Sequence, residues 1–528
     1  RQLAYKILTK YWNSEAKIFF LNRKYLHIAL HKKFKKISDQ YTELIHSSKI
    51  IRLNKKERIY FYAPQNFISK YIFAKYKNLK CYNVNILDFS FFGIFFGLLL
   101  KTIFLFLGYF YKFLKSNVFL RKNDKTTNVK LKKNIDQVIY FPHKGGASSL
   151  NIRENIFYSK NGKSIFFHKK LLHMEWSKKD IHDKPLVKDF YDKNKLRTDY
   201  WENYKINFIN KIYILKKLLF FILKTNFSSN LLLLNIISKI FVKIETSKIK
   251  LKKYFPETKI LLVQYEYNFP INLAIAAKIL KLKIVSAQTR ILMPAIKESY
   301  LNDLYLSIGE KSIKDIKSQI YKPKIALYGI KNFKLAKNLS SNKIIKHILV
   351  YDIKSHTSWY LNSREPEFNW RENYLFYSLI LDKAKLFKNV KFYIKSKNYN
   401  WLKIPYYYKI LSKIKKQKNI LILNNYSDKK FNLLSKKIDL TIAIYTSGVD
   451  SMLANGKPVI IYDKLNIHKK FLDYGKLIVH SENELDSILN NFFVNYNKTN
   501  FQINKIRKLL YSKFNLSAQK EIFKLYKL

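Results

Sequence analysis

The segment 439–463, DLTIAIYTSGVDSMLANGKPVIIYD, holds the residues best placed for chemistry. An apolar run ends at Tyr445, and Thr446, Ser447 and Gly448 then open a stretch with helical periodicity. Two hydroxyls and the free N–H groups of a helix start make an anion site, reinforced by the helix dipole. The same hydroxyls are equally suited to a plain capping role. Asp352 and His356 follow another apolar run, His347–Tyr351, which places them on the same strand-end rim as Thr446. Ligands of doubly wound sheets bind at that rim.

A second group lies earlier in the chain. Glu266 follows the run Ile260–Tyr265, and a carboxylate at a strand end has the chemistry to take a proton from an acceptor hydroxyl. A capping or ion-pairing role is its plain alternative. Gln288 and Arg290 follow Lys283–Ala287, and a guanidinium there matches an anion in bidentate fashion. His143, Lys144 and Gly145 follow Ile135–Phe141, and the adjoining glycines let a ligand approach the backbone. His143 is either a second base or a structural histidine. No HExxH or other ligand spacing connects the remaining histidines, so no metal site and no cofactor are expected.

The elements that must position these residues alternate between short β-branched or aromatic runs and longer amphipathic stretches. That rhythm predicts an α/β chain of two Rossmann-like, doubly wound domains facing across a cleft. Residues 1–50 read as a basic helical segment. Residues 51–335 read as a first Rossmann-like domain, with an apolar helix over 89–114, a helical insert over 200–252 and a strand over 163–168. A second domain runs over 345–528, its first strand at His347. Capping boxes are expected at Asn369 with Glu372 and at Ser481 with Glu484.

Composition narrows the partners. The 528 residues carry 100 Lys and Arg against 36 Asp and Glu, a net charge of +64. Part of the lysine excess goes with a general abundance of Ile, Asn, Phe and Tyr, but the shortage of acids points to a polyanionic neighbour. A single cysteine, Cys81, excludes an internal disulfide framework. The opening residues lack the pattern of a secretory signal, so a cytoplasmic location is expected. The run 89–114, interrupted by Lys101 and followed by Lys112, suits a helix dipping into one leaflet, with a buried core helix or a true span as alternatives.

The stretch from about 345 to 495 resembles the donor half of a GT-B glycosyltransferase. It is most similar to the bacterial capsule and surface-polysaccharide group, which includes capsule Kdo transferases, CDP-glycerol polymerases and bacterial sialyltransferases. Thr446-Ser447 and the phrase GVDSMLANGKPVIIYD carry the likeness. It implies that Thr446 and Ser447 hold the donor nucleotide's phosphate, at the turn that Gly448 completes. A basic His-Pro pair of the family falls at Lys395-Ser396-Lys397, which matches in its lysines only and implies nucleotide contacts for Lys395 and Lys397. Tyr265-Glu266-Tyr267 and Gln288-Thr289-Arg290 are similar to the family's acidic residue and its Gln-His-Gly, with Thr289 and Arg290 in place of His-Gly.

The resemblance implies transfer of a sugar from a nucleotide-activated donor to a growing surface polysaccharide or glycolipid. The work would take place peripherally or monotopically at an anionic membrane, on the inner face of the plasma membrane, without a metal. The absent His-Pro leaves a non-catalytic GT-B-like protein that binds anionic glycan or lipid phosphate as the alternative. No RNP, KH, zinc-finger or helix-turn-helix signature is present, so no nucleic-acid partner is expected.

Overall fold

The computed structural model describes residues 25–30, 59–64, 79–84, 138–142, 171–177, 197–224, 231–264, 269–288, 301–317, 321–330, 333–337, 343–352, 370–396, 399–424, 428–444, 448–464, 474–515 and 517–527. The runs expected at 89–114 and 163–168 and the cap at Asn369 lie outside them. Strands β1 (Ile59–Pro64) and β2 (Leu79–Val84) pair in parallel as a sheet of their own.

Seven strands form the first large sheet: β3 (Val138–Phe141), β4 (Leu171–Glu175), β5 (Thr198–Tyr200), β6 (Ile260–Val263), β7 (Lys283–Ala287), β8 (Leu304–Ser307) and β9 (Lys324–Leu327). All are parallel, in the order β5-β4-β3-β6-β7-β8-β9. Parallel strands need both faces covered, and their side chains say so. Val138 and Tyr140 enter one core while Ile139 and Phe141 enter the other, and Ile260 and Leu262 part in the same way from Leu261 and Val263. Helices α1 (Phe208–Lys224), α2 (Leu231–Tyr254) and α3 (Ile271–Ile279) cover the second face, together with a helical piece at 25–30. Helix α4 (Glu310–Lys317) follows β8.

The second sheet is equally regular. Its strands are β10 (His347–Tyr351), β11 (Lys391–Lys395), β12 (Ile420–Ile422), β13 (Leu440–Ala443), β14 (Val459–Tyr462) and β15 (Ile478–Val479), all parallel. Their order is β12-β11-β10-β13-β14-β15. Helices α5 (Trp370–Leu386), α6 (Tyr408–Lys416), α7 (Asp428–Lys437) and α8 (Gly448–Ala454) connect the first five in chain order, and α9 (Glu482–Val494) follows β15. Ser481 caps α9 by accepting the N–H of Glu484 at 3.2 Å. The Glu484 carboxylate answers to the N–H of His480, at 2.7 Å, one residue upstream of the partner a capping box predicts. Gly456 ends α8 with φ +81°, the left-handed stop that favours glycine.

The end of the chain departs from the sequence reading. After α10 (Tyr496–Gln502) and α11 (Asn504–Leu510) it leaves the second sheet and returns to the first. The N–H of Ser512 bonds Ile308 O, Ile330 N–H bonds Ser512 O, and Asn515 N–H bonds Tyr328 O, each at 2.8 Å. Helix α12 (Ala518–Lys527) then packs on β8 and β9, where Glu521 pairs with Lys324 at 2.5 Å. Gly309 is the residue that permits this seam, because a Cβ there would lie 2.0 Å from Leu510 O. The linker ahead of β10 is tied to the second domain too: Lys334 N–H bonds Ala454 O at 2.8 Å, and Ala336 exchanges two bonds with the Asn504 amide.

Candidate functional site

Numbered along the chain, the second sheet runs 3-2-1-4-5-6, so the chain reverses direction between β10 and β13. Connections leave to opposite sides at such a switch point, opening a crevice outside the carboxyl ends of the two strands. Tyr351 and Asp352 end β10, and Gly448 opens α8 after β13. The N–H of Ile444 bonds Tyr351 O at 3.2 Å, which joins the two strand ends directly. The Tyr351 ring lies against Gly448, so close that a Cβ would meet three ring carbons at 3.0–3.3 Å. A Cβ at position 448 would crowd this ring, which would have to give by a few tenths of an ångström. Burial pushes the Tyr351 hydroxyl up to about 12, so it remains a neutral donor.

Below this contact lies a polar scaffold. The buried Asp352 carboxylate accepts hydrogen bonds from the hydroxyls of Tyr377 and Ser396. Trp401 donates its indole N–H to Ser396 Oγ at 2.9 Å and stacks on Tyr377, with ring centroids 4.3 Å apart. Burial, and next the Asp352 charge, raise the Tyr377 hydroxyl well above its ordinary value and fix it as the donor. Asp352 thus stands on the expected rim with its side chain turned into the fold.

Lys395 ends β11, the neighbour of β10. Its ammonium lies 5.3 Å from the Phe431 ring centroid and 5.8 Å from that of Tyr399, and Phe431 stands 6.3 Å from Tyr351. A cation resting on aromatic faces keeps its charge for a further anion. Asp463 ends β14 along the same edge, buried, with its carbonyl holding the His480 ring at 2.8 Å. Behind α8, Asp450 accepts the hydroxyls of Tyr474 and Tyr511. The wholly buried Arg507 donates to Leu453 O at 3.0 Å and to the backbone and side chain of Asn500. Burial lowers the Arg507 guanidinium to about 10, still charged at neutral pH, and it satisfies carbonyls that a seven-residue helix leaves over.

The first sheet has a switch point as well, between β3 and β6. There Tyr140 donates to the Gln264 amide oxygen at 2.5 Å, and the N–H of Gln264 bonds Phe141 O at 3.0 Å. Trp176 stacks on Phe141 at 5.0 Å, and Trp201 and Phe269 approach the same ring edge-on. The neighbouring strand end buries His173 and Glu175, and burial holds His173 down to about 3, so it is neutral.

Gln288 ends β7 wholly buried. Its amide donates to Ser312 Oγ at 2.7 Å and accepts from Ile308 N–H at 3.0 Å, and its carbonyl accepts the Tyr328 hydroxyl. Its side chain braces the turn that leads into α4. The candidate residues His143, Lys144, Gly145, Glu266, Arg290, His356, Lys397, Thr446 and Ser447 lie outside the described residues. What the structure brings together is Asp352, Lys395 and Gly448, on three neighbouring elements of one sheet edge. Sequence reasoning missed Tyr351, Phe431, Tyr377 and Trp401. Tyr351 ends a strand one residue before Asp352, which was signal enough. The others act across long sequence separations. Among the described residues no group of three or more His, Cys, Asp or Glu is placed to hold a metal ion, and no helix is long and apolar enough to cross a membrane.

No protein-family model matches the chain, and no curated protein sequence matches it. Among solved structures it is similar to the S. aureus MnaA–UDP co-structure, at 9% identity and TM-score 0.45 over 74% of this chain and 95% of the other. The UDP-GlcNAc 2-epimerase of Neisseria meningitidis bound to UDP-GlcNAc aligns at 11% identity and TM-score 0.46, over 74% and 99%. The pneumococcal O-GlcNAc transferase GtfA in complex with UDP and GlcNAc aligns at 9% and 0.32, over 51% and 56%. The fold itself rests on the strand orders given above.

Proposed function

We propose that the chain is a glycosyltransferase that takes a sugar from a nucleotide-activated donor and passes it to a surface polysaccharide or glycolipid at the inner membrane face. The observation that supports this best is the second switch point, where Tyr351 lies against the glycine that opens α8 and Lys395, its register partner on β11, rests on the Phe431 ring. A nucleotide diphosphate fits that chemistry: a ring face, backbone N–H groups and a fixed cation. In the reaction the acceptor hydroxyl oxygen attacks the anomeric carbon and the bond from that carbon to the phosphate oxygen breaks. The nucleotide leaves with the electron pair, and the hydroxyl proton goes to Glu266 or His143. Thr446 and Ser447 hold the leaving phosphate, and Arg290, Lys144 and Lys397 contribute positive charge.

Replacing both hydroxyls, as Thr446→Ala with Ser447→Ala, deletes two hydrogen bonds to a charged group worth about 1.5–3 kcal/mol each. Nucleotide affinity, read by calorimetric titration of a nucleotide panel, should fall by roughly one to three orders of magnitude. Unchanged affinity with a lower melting temperature reduces the pair to a helix cap. The burial of Ser396 against Asp352 favours a second reading, a binding protein without turnover, because this position is spent on the fold. Nucleotide binding without donor hydrolysis or transfer selects that reading.

A further inference from the structure

Helix α1 is a third layer of the first domain. The sheet is covered by α2, whose Ile237, Ile240, Phe241 and Ile244 share a core with Ile139 and Leu261. Helix α1 lies outside α2, anchored by Ile214 and Phe221, with the Phe221 and Phe241 rings stacked at 5.3 Å. Lys217 reaches Glu245 of α2 at 3.3 Å. An outermost helix should turn polar residues to solvent. This one does the reverse: Ile209 is 72% exposed and Ile212, Tyr213 and Leu219 are each 47% exposed. At 100° per residue these positions and Lys216 fall on one side of a helix 17 residues and about 25 Å long.

Charge selects the occupant. Residues 205–253 contain eleven lysines and one carboxylate, Glu245, which is buried and already held by Lys217 and Lys248. A second copy of the chain would bring lysine against lysine. A nucleic acid would satisfy the lysines and leave Ile209 and Ile212 against phosphate. A bilayer rich in anionic lipid offers both partners at once, acyl chains to the apolar stripe and headgroup phosphates to the lysines beside it. We propose that α1 docks the first domain on an anionic membrane surface, lying in the interface plane with its Ile209–Ile212–Leu219 stripe inserted. The proposal gives the membrane-facing part of the function above a named surface, and it stands whether or not the second sheet binds a nucleotide.

The test is flotation of the full chain with vesicles of mixed phosphatidylglycerol and phosphatidylcholine, and with phosphatidylcholine alone. The protein should float with the mixed vesicles and much less with the neutral ones. Ile209→Gln with Ile212→Gln removes apolar surface without adding charge, and should weaken partitioning at least about tenfold. Its melting temperature and nucleotide titration should stay unchanged. Leu386→Gln, at an exposed apolar position on α5, should partition as the parent does. Three results overturn the proposal. The first is no flotation of the parent, and the second is equal flotation of the double variant, which would move the contact elsewhere. The third is a double variant that melts clearly lower or loses self-association, which would mean that protein covers this stripe.

Discussion

At the second switch point a tyrosine ring lies on a glycine above a carboxylate held by two hydroxyls, whereas at the first a phenylalanine is walled in by two tryptophans and a further phenylalanine. The wiring of the two sheets is the same up to the sixth strand, 3-2-1-4-5-6 in both, and the first merely adds β9. Among the described residues the two edges differ in the side chains at their strand ends. One edge combines close approach of a ring to the backbone with a cation on aromatic rings, above a carboxylate held by two hydroxyls. Among the described residues the other is lined by aromatic rings, with Tyr140 donating to the Gln264 amide. Equal topology offers two crevices, and the residues at the strand ends decide what each can hold.

Removing the Asp352 carboxylate should separate the edges most strongly. Asp352→Ala leaves the Tyr377 and Ser396 hydroxyls buried without their acceptor, and should cost about 3 kcal/mol in urea unfolding. Asp352→Asn, which keeps an acceptor oxygen, should cost about 1 kcal/mol, and so should Tyr140→Phe at the first edge. Equal losses for Asp352→Ala and Tyr140→Phe would erase the contrast between a carboxylate that holds two hydroxyls and a single tyrosine–amide bond.

Acid should act on the first sheet through His173. Its folded value lies near 3, below the ordinary histidine value of 6.5. The unfolded chain takes up the proton first, so stability is full above about pH 6.5 and declines as pH falls towards 3. Between pH 6.5 and 5 the loss from this group is about 2 kcal/mol. Urea midpoints at the two pH values should show it, and His173→Phe, whatever its baseline, should flatten that part of the profile. A slope that survives the substitution assigns the acid sensitivity to other groups.

The smallest effect is the most local. Gly448→Ala puts a methyl group 3.0–3.3 Å from the Tyr351 ring, so the ring must give by a few tenths of an ångström. Nucleotide affinity should fall about tenfold, with little change in melting temperature. A variant that binds as the parent does would make the ring and the glycine a packing contact only.

Much of the fold was legible because both faces of these parallel sheets are covered, which writes strands as unbroken apolar runs. Lys283–Ala287 and His347–Tyr351 fall where the sequence reading put them. Strand β4 was missed because Leu-Leu-His-Met-Glu carries two ionisable groups that the fold nevertheless buries. Gly448 was legible as the start of a helix, while its contact with Tyr351 is tertiary. Asp352 was legible as a rim residue, but the direction of its side chain depends on Tyr377 and Ser396, 25 and 44 residues away. The sequence reading kept the whole of 345–528 in the second domain, because nothing local in 504–527 shows that Ser512 and Asn515 bond the first sheet.

That seam governs the order in which a growing chain can finish its parts. Strands β3 to β9 leave the ribosome long before residues 512–515, yet the carbonyls of Ile308 and Tyr328 and the N–H of Ile330 bond Ser512 and Asn515. The first domain waits for the second to be synthesised before its last edge closes. Until then Gly309 and Gly329 lack the backbone of Leu510 and Lys513 that lies against them in the finished fold. A translational pause or a nick within 496–511 would strand a finished second sheet beside an unfinished first one.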